Sequence, residues 1–199
     1  MELKDKISYI IGRDMATNLK KQGIDIEAEP FMQGLKEVLA GQPSSLSAND
    51  VQEAMMALQQ EMGQKQGAKA ADNKKAGEAF LAENKGKEGV KTLPSGLQYQ
   101  VLQEGSGKSP SSSDQVTTHY HGTLIDGTVF DSSYERNQPA TFPVNGVIAG
   151  WTEALQLMKE GAKWRLFIPS NLAYGSQGAG DVIGPNSTLI FDVELISVN

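Results

Sequence analysis

The histidines of the chain, His119 and His121, stand two apart in QVTTHYHGTL, where period-two alternation puts both rings on one strand face and Tyr120 on the other. Such a pair could ligate a metal, but no third ligand is placed by sequence, and solvent-face strand histidines are far commoner than ligands. Nucleophiles fare no better, since there is no cysteine and the GxSxG pattern is absent. Among Asp131, Glu135, Glu153, Asp181, Asp192 and Glu194, no spacing fixes a hydrolytic pair. Asp131 is distinct because TVFDSSYERN sets it beside Phe130 at a strand end, with Arg136 five residues on. An acid so placed is either a loop cap for its own serines, which spacing favours, or the polar wall of a pocket.

What remains is the chemistry of rings and branched chains: Tyr120, Phe130, Phe142, Val147, Ile148, Trp151, Tyr174, Ile183 and Phe191. Each could be plain core. Two features speak for a pocket. Trp151, directly after VIAG, falls in the first turn of a helix, where a large ring either closes a core or floors a binding site. LAYGSQGAGDVIGP is too rich in glycine for a core element and suits a rim.

The elements that must position these residues lie after a change of composition near residue 90. Before it Ala, Gln, Lys, Glu and Met dominate with helical spacing; after it come Gly, Pro, Thr, Val, Phe and Tyr. The boundary predicts two domains, 1–89 and 90–199. In the first, Ile7, Ile10, Ile11, Met15 and Leu19 mark a helix ended by Gly23, and a second runs from Phe31 to Leu39 with Gly41 beyond it. Ser47 is a good N-cap for a third, with Val51, Ala54, Met55 and Leu58 on one face. That helix is read as continuing to KKAGEAFLAENK, weakened by Gly63 and Gly67; a flexible linker over 59–75 is the alternative. Two short helices and a stem bury little alone, so a homodimer through the N-terminal helices is the economical reading. Met15, Met32, Met55, Met56 and Met62 suit either a core, a dimer seam or a groove for unfolded chains.

The second domain alternates as strands in LQYQVLQEG, QVTTHYHGTL, GTVFDSS, ATFPV, AKWRLFIP and TLIFDVELISV, with one helix, Trp151 to Met158, among them. Asp126-Gly127 predicts a hairpin with a type I′ turn. The class is α+β: an all-α N-terminal bundle with a long connecting helix, then an antiparallel sheet on one short helix. A net charge of -6 argues against a nucleic-acid partner. No window is long and apolar enough for a transmembrane segment, and the start shows no signal peptide.

From VTTHYHGTL to LIFDVELISV the sequence closely resembles the FKBP-type peptidyl-prolyl cis-trans isomerase domain, with DGTVFDSS, VIxGW, LAYG and TLIFDVELISV in family order over about residues 95–198. GEAFLAENK leading into GVKTLPSGLQYQV resembles the helical, dimer-forming half of the bacterial macrophage infectivity potentiator type. The resemblance implies acceleration of X-Pro isomerisation during protein folding, without cofactor or covalent step; the alternative is a non-catalytic proline-peptide-binding module or a chaperone with incidental isomerase activity. Proline-containing peptides and unfolded proteins would be its partners, and tacrolimus and rapamycin its inhibitors. It implies Asp131, Tyr174 and Tyr120 as catalytic residues. Trp151, Phe130, Phe142, Val147, Ile148, Arg136, Val182, Ile183 and Phe191 would bind substrate, with Trp151 as the floor for the proline ring. It also implies export to the bacterial periplasm or outer membrane, a cytoplasmic relative being the alternative. Ala140, Ala149 and Ala179 depart from residues common in the family, which bears on substrate preference near the rim.

Overall fold

The computed structural model describes residues 1–199, which fall into two compact units, Met1–Gly67 and Ala68–Asn199. The first holds α1 (Leu3–Lys21), α2 (Ala28–Leu39) and the beginning of α3 (Ala48–Asn84). Gly23 and Gly41 end their helices in left-handed conformation, φ 74° and 64°. In each case the next amide reaches back to close a Schellman motif, Ile24 to the Leu19 carbonyl and Gln42 to that of Glu37. α2 starts a turn earlier than expected because Pro30 sits in the first turn, where its missing N–H costs nothing. Ser47 caps α3: its hydroxyl accepts from the Asp50 amide while the Asp50 carboxylate accepts from the Ser47 amide at 2.9 Å. The helix passes through Gly63 and Gly67 unbroken, so the linker alternative for 59–75 does not apply. No residue of α1 or α2 is buried, and Ile7, Ile10, Ile11, Met15, Met55 and Met56 are exposed.

The second unit is built on one antiparallel sheet. Its strands are β1 (Val90–Thr92), β2 (Gln98–Gln103), β3 (Gln115–Leu124), β4 (Val129–Ser132), β5 (Ala140–Pro143), β6 (Lys163–Ile168) and β7 (Leu189–Val198). The order is β1-β2-β6-β7-β3-β4, with β5 also pairing β3. β1 is an element that periodicity did not show, three residues being too few for a pattern. The helix α4 (Ala149–Leu157) lies against the inner face, where Leu155, Met158, Leu166, Ile168, Leu189, Val193 and Leu195 are fully buried. Gly150 permits the close approach, since a Cβ there would stand 2.6 Å from Ile168 Cγ2. The other face is not left to solvent: the end of α3 covers it, with Phe80 on Phe167 at 5.9 Å between ring centroids. There buried Asn84 donates to Gln98 Oε1 at 2.9 Å, and Gln98 donates to the Leu81 carbonyl.

The β3–β4 hairpin corrects the expected type I′ turn. Only Gly127 has positive φ, 86°, so the loop is Ile125–Gly127, closed by the Leu124 amide on the Thr128 carbonyl at 2.9 Å. Asp126 has no positive φ, and its carboxylate accepts from the Thr128 amide. A three-residue turn with glycine in the left-handed position results.

Candidate active site

Six stretches of chain meet around a cavity of about 710 Å³. β3 contributes Tyr120, β4 Phe130 and Asp131, β5 Phe142, β7 Phe191, and α4 with its lead-in Val147, Ile148 and Trp151. Tyr174, Val182 and Ile183 come from the segment between β6 and β7. Trp151 lies at the bottom, 4% exposed, and three rings meet it edge-on: Tyr120 at 5.4 Å, Phe142 at 6.0 Å and Phe191 at 5.2 Å. Phe130 in turn meets Phe191 at 5.3 Å. These T-shaped contacts set positive ring edges on negative faces and hold each ring at a fixed tilt.

Neighbouring residues of a strand point to opposite faces, yet Phe130 and Asp131 both line the cavity. The register explains this. Gly122 pairs with Asp131 but Thr123 pairs with Val129, so Phe130 is the extra residue of a bulge and is re-aimed inward. Gly122 makes room for it: a Cβ there would lie 2.6 Å from Phe130 and 2.8 Å from Phe191. Sequence reading passed over Gly122, although a glycine inside an alternating strand is a signal of close approach.

The polar side of the cavity is one connected group. Tyr120 donates its phenol proton to Asp131 Oδ2 at 2.5 Å, and Arg136 pairs with Asp131 Oδ1 while donating to the Tyr120 hydroxyl at 2.8 Å. Asp131 is therefore a pocket wall, not the cap that spacing favoured. Ser133, two residues on and also unforeseen, ties the end of β4 back to β3, accepting from the Tyr120 amide at 2.7 Å and sharing a hydrogen bond with His119 Nδ1. Burial alone would push the Asp131 carboxyl up. The bonds from Tyr120 and Arg136 and the guanidinium charge outweigh it, and the group lies below its ordinary range, ionised at neutral pH. Burial and the neighbouring carboxylate hold the Tyr120 phenol above its usual value, so it remains a donor. Arg136 directs its side-chain hydrogen bonds to Asp131 and Tyr120 and does not line the cavity. The Ile148 amide, just ahead of α4, donates to no group of the chain.

A cavity walled mostly by ring and aliphatic carbon, with the ionised Asp131 carboxylate on its side and Asp181 at its rim, marks a protein that can seat an apolar ring. The family described as FKBP-type peptidyl-prolyl cis-trans isomerase matches residues 106–196, and the domain amino terminal to FKBP-type peptidyl-prolyl isomerase matches residues 4–101. The chain is 48% identical over 199 residues to the outer membrane protein MIP of Legionella longbeachae, covering 98% of this chain and 85% of that protein. It is 43% identical over 201 residues to the FKBP-type 22 kDa peptidyl-prolyl cis-trans isomerase of Escherichia coli, covering 98% and 96%. The crystal structure of FkpA from Escherichia coli superposes with a TM-score of 0.74 at 39% identity, covering 98% of this chain and 94% of that one. The chain belongs to the FKBP-type peptidyl-prolyl cis-trans isomerase family, and its activity is peptidyl-prolyl isomerisation.

Proposed function

We propose that the Trp151-floored cavity is where the X-Pro bond is turned. The observation that carries this is the convergence of Tyr120, Phe142 and Phe191 edge-on around Trp151, beside a carboxylate held ionised. Rotation about X-Pro faces a barrier of about 18–20 kcal/mol because the planar amide is resonance-stabilised. Twisting removes that resonance, leaving a less polar carbonyl and a more basic nitrogen, a state that an apolar cavity favours over water. Trp151 floors the proline ring, with Phe142 and Phe191 as walls and Phe130, Val147, Val182 and Ile183 as the upper contacts. The Ile148 amide and the Tyr174 hydroxyl hold the substrate backbone. Asp131, set by Tyr120 and Arg136, faces the rotating carbonyl. Tacrolimus and rapamycin compete for the same seat. A protease-coupled assay on an Xaa-Pro tetrapeptide tests the assignment: inhibition by tacrolimus and loss of turnover in Trp151→Leu are expected, and a folded Trp151→Leu enzyme with undiminished turnover would sink it.

The N-terminal unit serves as a homodimerisation and chaperone-like half that brings unfolded proteins to the isomerase. Support comes from the exposed Ile7, Ile10, Ile11, Met15, Met55 and Met56, which leave the unit without a core of its own. The division of labour falls between 1–89 and 90–199, helical half against isomerase half, with the 68–84 stretch of α3 packed on the isomerase sheet. The protein works in the periplasm or at the outer membrane of a bacterium, a reading supported by the relative named as an outer membrane protein. Light scattering decides the oligomeric state, and cell fractionation the compartment.

A further inference from the structure

The rim of the cavity is a segment with little structure of its own. Between Ala173 and Thr188 it takes left-handed backbone at Gly175, Gly178, Gly180 and Asn186, and its one internal ladder contact is the bridge between Ala179 and Ile183. Such a chain must be fixed from outside. Part of the fixing comes from the second half of α3. Asn73 donates through Nδ2 to the Pro185 carbonyl at 2.8 Å, and Asn186 donates through Nδ2 to the Ala70 carbonyl at 3.3 Å. Asn186 also ties the segment to itself, its amide donating to the Gly175 carbonyl at 2.8 Å, next to Tyr174. One turn along, Gly77 is bare so that the helix can meet Thr188: a Cβ there would stand 2.3 Å from the Thr188 hydroxyl oxygen. Ala70, Asn73 and Gly77 are spaced i, i+3, i+7, one helical face cut to receive this segment.

We propose that Asn73 and Asn186 are positioning residues of the isomerase: they fasten α3 to the 173–188 segment and so hold Tyr174, Val182 and Ile183 in place over the bound proline. This rests on the reading that the Trp151-floored cavity is the proline seat. Neither asparagine lines the cavity, so each acts only through the rim. Losing the fastening leaves the floor and the carboxylate intact and costs ground-state and transition-state binding alike.

The test uses the full chain. Asn73→Ala removes the bonds from the helix, and Asn186→Gly removes the amide while tolerating φ 56°. Each is expected to raise the half-saturating concentration of an Xaa-Pro tetrapeptide about three- to tenfold, with turnover at saturation within about twofold of wild type. Hydrogen exchange gives an independent readout: the Ile183 and Asn186 amides should exchange faster while those of β3 and β7 keep their protection. Gly77→Ala, which displaces the helix sterically, should move both measurements the same way. Unchanged peptide affinity in Asn73→Ala and Asn186→Gly overturns the proposal, as does loss of protection spread evenly through the sheet. Trp151→Leu run alongside separates the two readings. If it keeps wild-type turnover, the seat itself is misplaced; if it loses turnover while the asparagine variants do not change, only the fastening fails.

Discussion

Trp151 shows why a site residue and a core residue are hard to separate at the scale of single side chains. Being 4% exposed and touched by three rings, it cannot be truncated to alanine without about 3–5 kcal/mol of lost stability. Phe130, only half-buried, is the cleaner probe. Phe130→Ala should leave the sheet folded, by circular dichroism, and cut both turnover and tacrolimus affinity about tenfold, the scale of losing one apolar wall. Asp131→Asn should lower turnover by about tenfold or more with a smaller loss of binding, because a fixed charge facing the rotating carbonyl counts most in the twisted state. Equal losses would assign Asp131 a structural part only. The sign of its pH dependence follows from its lowered folded-state value: the stabilisation is complete above the unfolded value, about 3.9, and is lost as pH falls through the folded one. The melting-temperature gap between wild type and Asp131→Asn should therefore hold from neutral pH down to about pH 4 and close below it. The residues that line the cavity were legible because they recur in a known family pattern. Gly122 and Ser133 were not, since one acts by having no side chain and the other through the backbone of Tyr120.

For the elements, the signals that could be read were those with local causes. Gly23, Gly41 and Ser47 end or start their helices by chemistry confined to a few residues, and they did so where expected. The turn after β3 was misread because Asp126 can serve either as a left-handed residue or, as found, by capping the Thr128 amide. The docking of α3 on the sheet left little apolar trace beyond Phe80 and Leu81. Its contact stripe runs Ala70, Asn73, Gly77, Phe80 and Asn84, small and polar at most positions, so helical spacing of hydrophobic residues could not reveal it. The mid-helix glycines make a separate prediction. Nothing lies within 4 Å of a Cβ at Gly63 or Gly67, and neither has positive φ. Gly63→Ala and Gly67→Ala should each stabilise α3 by about 1 kcal/mol, visible as increased helicity and a higher Tm.

Over the whole molecule, the point of division matters to any dissection. Because the second half of α3 covers the sheet through Phe80 and Asn84, a fragment beginning at Ala68 keeps that cover, whereas one beginning at Val90 exposes Phe167 and strands Gln98 without its partner. The 68–199 fragment should be monomeric, turn over a tetrapeptide nearly as the full chain does, and lose much of the full chain's power to speed proline-limited refolding of a protein. Light scattering and the two assays check this; a fragment that refolds proteins as well as the full chain would remove the purpose assigned to the helical half. The carbon lining of the cavity has a thermal consequence. Binding that dries apolar surface carries a negative heat-capacity change, and the attraction weakens on cooling. Uncatalysed proline rotation slows over the same range, to minutes near 10 °C. Calorimetric titrations at several temperatures should show a steadily more negative binding enthalpy on warming, and below the temperature where that enthalpy passes through zero the enzyme grips its substrate less tightly the colder it gets, where spontaneous isomerisation is slowest.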